Sequence, residues 1–408
     1  MSLFGVMRLP SSVVFGLGQR AILGATALQY GKRALICTDG RLSGLAIFAE
    51  IMADLERSGV TTHVYDRTQP DLPITSIEEC VKEASDFGPQ MVIGIGGGSC
   101  MDLAKVTALL LTHGGTLDVY YGENLVPGPL IPVIAVPTTA GTGSEVTPVA
   151  VVADTARNTK IGISSPYLIP SSAVCDPELT ITCPPGLTAA SGADALTHAV
   201  EAFTAAPRPL TNDLTVKNVF VGKNILSDSF ATLAISNVWI ALERACTHGD
   251  DIEARERMML AALAAGCAFG TAGTAAAHAI QYPVGNDTHT AHGVGVAVLL
   301  PYVMEYNRPD CIGPFADIAR AIGLSNPDKT DEQLSHDVID AIAGLLARIG
   351  IPRTLAELGV AEHQQTTTAE RAIAVARLVN NNPRKIDLDA MQRITRAAFS
   401  GDRASLRL

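Results

Sequence analysis

The sequence predicts an α/β N-terminal region built on a parallel sheet, followed by an all-helical C-terminal region. Three observations carry this reading. Short β-branched runs alternate with helical segments through the first part of the chain. After Asp176 the strand signal stops and Ala- and Leu-rich periodic segments take over. Between the two stands Cys183-Pro184-Pro185-Gly186, a cluster that breaks both kinds of regular structure. At 408 residues the chain is too long for one ordinary core, so two domains are expected, 1–183 and 184–408.

Taken in order, strands are expected at 34–38, 62–65, 91–95 and 131–136, with helices at 45–58 and 77–87 between them. Such a βαβα rhythm puts helices on both faces of a parallel sheet. Shorter runs at 148–153, 160–164 and 172–175 read as a hairpin and a last strand. Beyond the breaker, helices are expected at 190–204, 227–247, 251–269, 292–306, 331–349 and 369–380. The polar, turn-rich stretch 207–223 reads as a connection longer than usual, and such loops often carry function. No internal repeat is present.

Composition removes several function classes. Hydrophobic residues make up 47% and charged residues 17%, as in a well-buried enzyme. A net charge of -11 without any basic run argues against nucleic acid and anionic membranes as partners. The stretch 258–280 has no Asp, Glu, Lys or Arg, but it is Ala- and Gly-rich and contains Thr271, Thr274 and His278. It reads as a buried helix of a soluble domain rather than a membrane span. The eight Cys form no C-x-x-C pair and sit in apolar contexts. They read as reduced core thiols, and with no signal-peptide pattern in MSLFGVMRLP the expected location is the cytoplasm.

Two loops carry phosphate chemistry. From 93 to 105 the chain reads I-G-I-G-G-G-S-C-M-D-L-A-K, a strand running into glycines and then into a helix beginning near Ser99. Glycine lets a diphosphate approach the backbone, and the helix start offers free N–H groups and a positive dipole end. A tight turn with no ligand is the plainer alternative, but G-G-G-S at such a junction favours phosphate. From 136 to 147 the chain reads V-P-T-T-A-G-T-G-S-E-V-T, dense in hydroxyls and backbone donors. It is assigned to the pyrophosphate and nicotinamide-ribose side of a dinucleotide. Asp39 ends the first strong strand, before Gly40. Its carboxylate there can bind the adenosine ribose hydroxyls and repel a 2′-phosphate, which favours NAD over NADP. A simple turn Asp before Gly is the competing reading.

A metal constellation follows. Asp194 and His198 are four residues apart on one expected helix, so they share a face. Alone they are ambiguous: with Ser191 as N-cap, Asp194 would sit at the capping-box position, and a lone buried His is usually hydrogen-bonded core. The stretch A-A-A-H-A-I-Q-Y-P-V-G-N-D-T-H-T-A-H-G changes the odds, because three of the nine His fall between 278 and 292. His278 is expected to close the uncharged Ala-rich helix and His292 to open the next. A carboxylate with neutral imidazoles suits Fe²⁺, Zn²⁺ or a similar divalent ion with one position open.

These segments together resemble the iron-containing (group III) alcohol dehydrogenase family, nearly end to end. The resemblance is carried by Phe15-Gly16-Leu17-Gly18, G-G-G-S-C-M-D-L-A-K at 96–105 and P-T-T-A-G-T-G-S-E-V-T at 137–147. It continues in Asp176-Pro177-Glu178-Leu179-Thr180, D-A-L-T-H-A-V-E at 194–201 and H-x13-H-G at 278–293. It implies a dinucleotide-binding α/β domain and a helical metal- and substrate-binding domain, in a dehydroquinate synthase-like architecture with the active site in the cleft between them. It implies metal ligation by Asp194, His198, His278 and His292. It implies cofactor contacts at Asp39, Gly97, Gly98, Ser99, Thr138, Thr139, Thr142, Ser144, Val149, Lys160 and Leu179, with Asp102 counted among them. The implied chemistry is a Lewis-acid ion acting on an alcohol or carbonyl oxygen, with hydride exchanged with the nicotinamide.

Two departures from the family pattern bear on catalysis. Many members carry another His four residues after the third ligand, credited with proton handling, and here that position is Tyr282. Tyr282 and His289, the latter outside the usual pattern, are therefore the candidates beside His278 for catalytic roles. The stretch 207–223 is also longer than in typical members. The rival readings are a keto-acid reductase like the maleylacetate reductases, a dehydroquinate synthase-like lyase, and a non-enzymatic binding protein. Intact ligands count against the first. Sparse basic residues between 194 and 302 count against the second, which handles an acidic phosphorylated substrate. Four ligands beside complete cofactor loops count against the third. The expected partners are a small alcohol or aldehyde and a second copy of the chain, since dimers are the commonest closed assembly.

Overall fold

The computed structural model describes residues 3–157 and 159–407. Among them are nine strands: β1 (Ser12–Phe15), β2 (Arg33–Cys37), β3 (Thr61–Tyr65), β4 (Met91–Gly96), β5 (Gly122–Glu123), β6 (Val133–Pro137), β7 (Val149–Asp154), β8 (Thr159–Ser164) and β9 (Ser172–Cys175). Six of them make one sheet in the order β1-β9-β6-β4-β2-β3, with every pairing parallel. The expected parallel sheet is therefore present, and so is the expected hairpin, β7 with β8. β5 adds to β8 to complete a second, three-stranded sheet. The sequence reading missed β1, a four-residue strand that exists only by pairing with β9.

The inner strands β2, β4, β6 and β9 are buried on both sides, as a sheet covered on both faces requires. Leu35, Cys37 and Val92 face one core with Ile77, Cys80 and Ala84 of the helix Ile74–Phe87 and Leu103 of the helix Gly98–His113. Ala34, Ile36, Met91 and Ile93 face the other core with Phe48, Ile51 and Leu55 of the helix Ala46–Arg57. Alternate residues of one strand thus serve two cores, the period-2 signature of a strand. The chain order turns back between β2 and β4, so their carboxyl ends flank the topological switch point where open α/β sheets bind ligands.

The chain divides into two compact units. One is Arg8–Thr182 with Asp213–Val219, and the other is Met1–Met7, Cys183–Asn212 and Phe220–Leu408. The long stretch 207–223 is therefore split between them. It contains a short helix, Leu214–Lys217, which the sequence reading did not foresee. The segment Asp213–Val219 is held by Arg8, whose guanidinium donates to the carbonyls of Val219 at 2.8 Å and Thr215 at 2.5 Å. Glu123 accepts from Val219 N at 3.1 Å and Asn124 donates to Lys217 O at 2.9 Å.

The second unit is helical. Its central helix, Pro185–Thr204, packs against the helices Ile225–Thr247, Ile252–Ala272 and His292–Asn307. Its start is set by Pro184 as N-cap and Pro185 in the first turn, where the missing N–H costs nothing. The sequence reading began this helix at 190 with Ser191 as its cap. Ser191 instead lies inside it, its hydroxyl donating to Leu187 O at 2.8 Å, so Asp194 has no capping-box role. The stretch 258–280 is not one helix either. The helix Ile252–Ala272 stops at Gly273 (φ +84°), the helix Ala276–Thr288 begins after a three-residue break, and the two are bent by 104°. His278 thus opens a helix rather than closing one. The expected helix at 369–380 is likewise two, Gln365–Ile373 and Ala376–Val379. Two helices, Ile312–Ala321 and Leu388–Ser400, escaped the sequence reading.

Among the described residues, one helix, Ile225–Thr247, is long and apolar enough by composition to cross a bilayer. Its Ala234, Ile235, Val238, Ala241 and Leu242 are buried among the neighbouring helices.

Candidate active site

In the α/β unit the loops after β4 and β6 lie side by side. Gly96 pairs with Pro137 at the ends of their strands, and Thr138 N donates to Gly96 O at 2.9 Å. Gly97 is the N-cap of the helix Gly98–His113, and no side chain caps that helix. Its first N–H groups are therefore available to an anion. Thr142 packs on Gly98, where an added Cβ would lie 2.7 Å from Thr142 Cγ2, and Thr139 lies 3.4 Å from the Cβ position of Gly97. Ser99 follows in the first turn. Gly97, Gly98, Thr139 and Thr142 thus form one contiguous surface.

Asp39 reaches the same helix turn. One carboxylate oxygen caps the short helix Gly40–Ser43, accepting from Arg41 N and Leu42 N at 2.9 Å each. The other lies 3.8 Å from Cys100 Sγ. The turn-Asp reading thus describes one edge of this side chain, and the other edge faces the helix that follows the glycine loop.

Other expected cofactor residues face inward. Ser144 Oγ donates to Asp102 at 2.6 Å, and Val151 N donates to the second Asp102 oxygen at 2.9 Å. Beside them Lys105 is fully buried, with Nζ donating to Ser144 Oγ (2.8 Å), Thr147 O (3.0 Å) and Val149 O (2.9 Å). Burial pushes Lys105 down to about 8, against the opposing pull of Asp102 and Glu145. Burial likewise raises Asp102, and it pushes Glu145 up to about 7. This network ties the helix after the glycine loop to the threonine loop from behind. Lys160, on β8, is paired with Asp71 at 2.6 Å, and Leu179 is buried in the core.

In the helical unit four predicted ligands converge. Asp194 Oδ1 has three imidazole Nε2 atoms around it: His198 at 3.7 Å, His278 at 3.8 Å and His292 at 3.8 Å. Asp194, His278 and His292 each offer a ligand atom within 4.8 Å of the others, and His198 joins through Asp194. The shared Asp194 oxygen therefore lies within reach of an ion that the three imidazoles could also approach. His278 Nε2 is buried and has no hydrogen-bond partner, the state expected of a nitrogen reserved for an ion. The donor set of one carboxylate and imidazoles fits a divalent transition metal. The His292 side chain is 31% exposed, so the cluster is reachable from solvent.

Each candidate ligand is placed by its helix. Asp194 and His198 lie one turn apart on Pro185–Thr204, His278 is in the first turn of Ala276–Thr288, and His292 begins His292–Asn307. The last approach is close. A Cβ on Gly293 would stand 2.1 Å from Ala190 O and 3.1 Å from Asp194 Cβ, so only glycine lets His292 reach Asp194. The His198 ring stacks on Phe269 at 4.1 Å and on His278 at 4.7 Å. The Tyr282 ring lies 6.5 Å from that of His292. His289 is exposed at the C-terminal end of its helix in the left-handed region (φ +55°).

Sequence reasoning overlooked two polar residues here. Glu201, 2% exposed, accepts from His278 Nδ1 at 2.6 Å and from Ala275 N and Ala277 N at 2.8 and 2.7 Å. It continues the spacing of Asp194 and His198 along one helix face, a signal the sequence contained. Asn381 donates to Ala272 O and Thr274 O at 3.0 and 3.1 Å and holds the helix break. Nothing local in the sequence points to it.

With this geometry in view, comparison with known proteins is specific. Residues 10–177 match the model of the iron-containing alcohol dehydrogenases, and residues 188–399 match that of the C-terminal part of the same family. The chain is 36% identical over 373 residues to long-chain-alcohol dehydrogenase 1 of Geobacillus thermodenitrificans, spanning 91% of this chain and 90% of that one. It is 33% identical to the NAD-dependent methanol dehydrogenase of Bacillus methanolicus, spanning 96% and 99%. Among solved structures, an alcohol dehydrogenase from Oenococcus oeni superposes with a TM-score of 0.90 at 32% identity, over 97% of this chain and all of the other.

Proposed function

The chain belongs to the iron-containing alcohol dehydrogenase family and is a metal-dependent, nicotinamide-linked oxidoreductase of alcohols and aldehydes; from that premise we propose that Asp194, His198, His278 and His292 together hold its divalent ion. The observation that carries this is the single carboxylate oxygen with three imidazole nitrogens at 3.7–3.8 Å. Iron is the proposed ion, and the same ligands would accept Zn²⁺. When bound, the ion polarises the alcohol or carbonyl oxygen, and the dinucleotide takes or gives the hydride.

The protein's own residues supply placement. The uncapped start of Gly98–His113, with Gly97, Gly98 and Ser99, is proposed to hold the diphosphate, and Thr138, Thr139 and Thr142 to line the cofactor beside it. Asp39 is proposed to take the adenosine ribose and to favour NAD. Asp102, Ser144, Val149 and Lys160 shape these loops, with Leu179 packed beneath. Tyr282 is proposed to handle the hydroxyl proton. Its ring pairs with His292, a link His289 does not make, and this supports Tyr282 for the role.

A cytoplasmic location is proposed from the burial of all eight cysteines, since core thiols suit a reducing compartment. A homo-oligomer, most simply a dimer, is supported by an exposed apolar stripe, Leu226, Leu233 and Ile240, at heptad spacing on one helix. Light scattering on the purified protein reports the assembly.

The function is tested by stripping the protein with a chelator and reconstituting it separately with Fe²⁺ and Zn²⁺. Each form is then screened for NAD(H)-coupled turnover of alcohols and aldehydes. Activity should vanish on stripping and return with one ion. Full activity in the stripped protein would remove the ion from the reaction.

A further inference from the structure

Glu201 is a carboxylate in the interior of the helical unit, and among the described residues its ion-pair partner is His278 alone, with no Lys or Arg. Burying such a charge is costly unless each oxygen is engaged. Both are. Oε1 accepts from Ala277 N, and Oε2 accepts from Ala275 N and from His278 Nδ1. The two amides belong to the start of Ala276–Thr288, where the helix dipole favours a negative charge. The third partner is a metal-site imidazole. A carboxylate can only accept, so the 2.6 Å bond is donated by Nδ1–H, and in the neutral imidazole this leaves Nε2 with the lone pair. That Nε2 is buried, without a hydrogen-bond partner, and 3.8 Å from Asp194 Oδ1.

The same helix face also carries the other side of the site. Asp194, His198 and Glu201 follow one another at four- and three-residue steps on Pro185–Thr204. One helix therefore presents two ligands directly and aims a third that arrives on another helix 77 residues away in sequence. A neutral acceptor would suffice to cap a helix. A carboxylate that is shared between the cap and the imidazole does more: it sets the tautomer and fixes the ring.

We propose that Glu201 is a positioning residue for the divalent ion: it holds His278 as the Nδ1–H tautomer and locks that imidazole to the start of its own helix. The proposal rests on the reading of Asp194, His198, His278 and His292 as ligands, and its test separates the two. Co²⁺ is titrated calorimetrically into stripped wild-type protein, Glu201→Gln and His278→Ala, and the visible spectrum of each Co²⁺ form is recorded. Glu201→Gln should bind Co²⁺ roughly 10- to 100-fold more weakly, with an altered visible spectrum. A purely structural role would lower stability and leave the affinity and spectrum of the folded protein unchanged, and that result overturns the proposal. If His278→Ala also binds Co²⁺ as wild type does, the ligand reading itself fails. If His278→Ala loses the ion while Glu201→Gln keeps it, only Glu201's role falls. Should Glu201→Gln not fold, ¹⁵N-histidine NMR of stripped wild-type protein decides, with the His278 signals identified by their absence in His278→Ala. The Nδ1–H tautomer is expected, and a predominant Nε2–H form overturns the proposal.

Discussion

At the scale of single residues, the informative side chains are those with two jobs. Asp39 caps a short helix with one oxygen and turns the other toward the helix that follows the glycine loop. Asp39→Ser keeps a capping oxygen and removes the charge. It should raise the NADP/NAD ratio of kcat/KM by about tenfold, since a 2′-phosphate is no longer repelled. An unmoved ratio would take Asp39 out of coenzyme choice. Glu145 behaves differently because it is buried. Desolvation, opposed by its own backbone N–H and by Lys105, lifts it from 4.5 to about 7. A carboxyl raised on folding contributes stability that is full below 4.5 and is lost as pH rises through about 7. Glu145→Gln should therefore flatten the stability profile between those values, read from urea midpoints at several pH values. A profile with the wild-type slope would mean that Glu145 does not titrate there.

At the scale of elements, close approach decides whether the proposed metal site can form. The helix His292–Asn307 meets Pro185–Thr204 at Gly293, and the atom nearest an added Cβ is a backbone oxygen that cannot swing away. Gly293→Ala should cost about 1–3 kcal/mol by overpacking and displace His292 from Asp194. Thermal melting together with bound-metal analysis after dialysis checks both halves, and a variant that retains wild-type metal content would show that the helices tolerate the shift. The helix break at Gly273 works the same way. Without it His278 would stand more than five turns along one continuous helix from 258, instead of at a helix start capped by Glu201. Periodicity cannot register such a break, because an Ala-rich stretch reads as helix on either side of it.

At the scale of the whole molecule, the glycine and threonine loops proposed for the dinucleotide belong to one unit and the proposed metal ligands to the other. His278→Ala should therefore abolish metal-dependent turnover while leaving NAD(H) binding within about twofold, as followed by NADH fluorescence. A large loss of NADH affinity would mean that the two functions are not separable in this way. The segment Asp213–Val219 shows that units are not simply stretches of chain. Arg8, Glu123 and Asn124 draw it into the α/β unit although its flanks belong to the helical one.

Local chemistry was legible in the amino-acid sequence because it is local. The glycine loop at a strand–helix junction, the Asp194–His198 spacing, the parallel sheet and the helical second half all follow from patterns a few residues long. The convergence of His278 and His292 on Asp194 was legible as a cluster of histidines and as a family resemblance, without its geometry. What only the tertiary structure decided involves partners far apart: β1 existing through β9, Gly293 making room against Ala190, and Lys105 closing on Thr147 and Val149. Glu201 belongs to both classes. Its place on the ligand face is written in the helix period, but its grip on His278 depends on which helices the packed core brings together, and no short-range pattern encodes that.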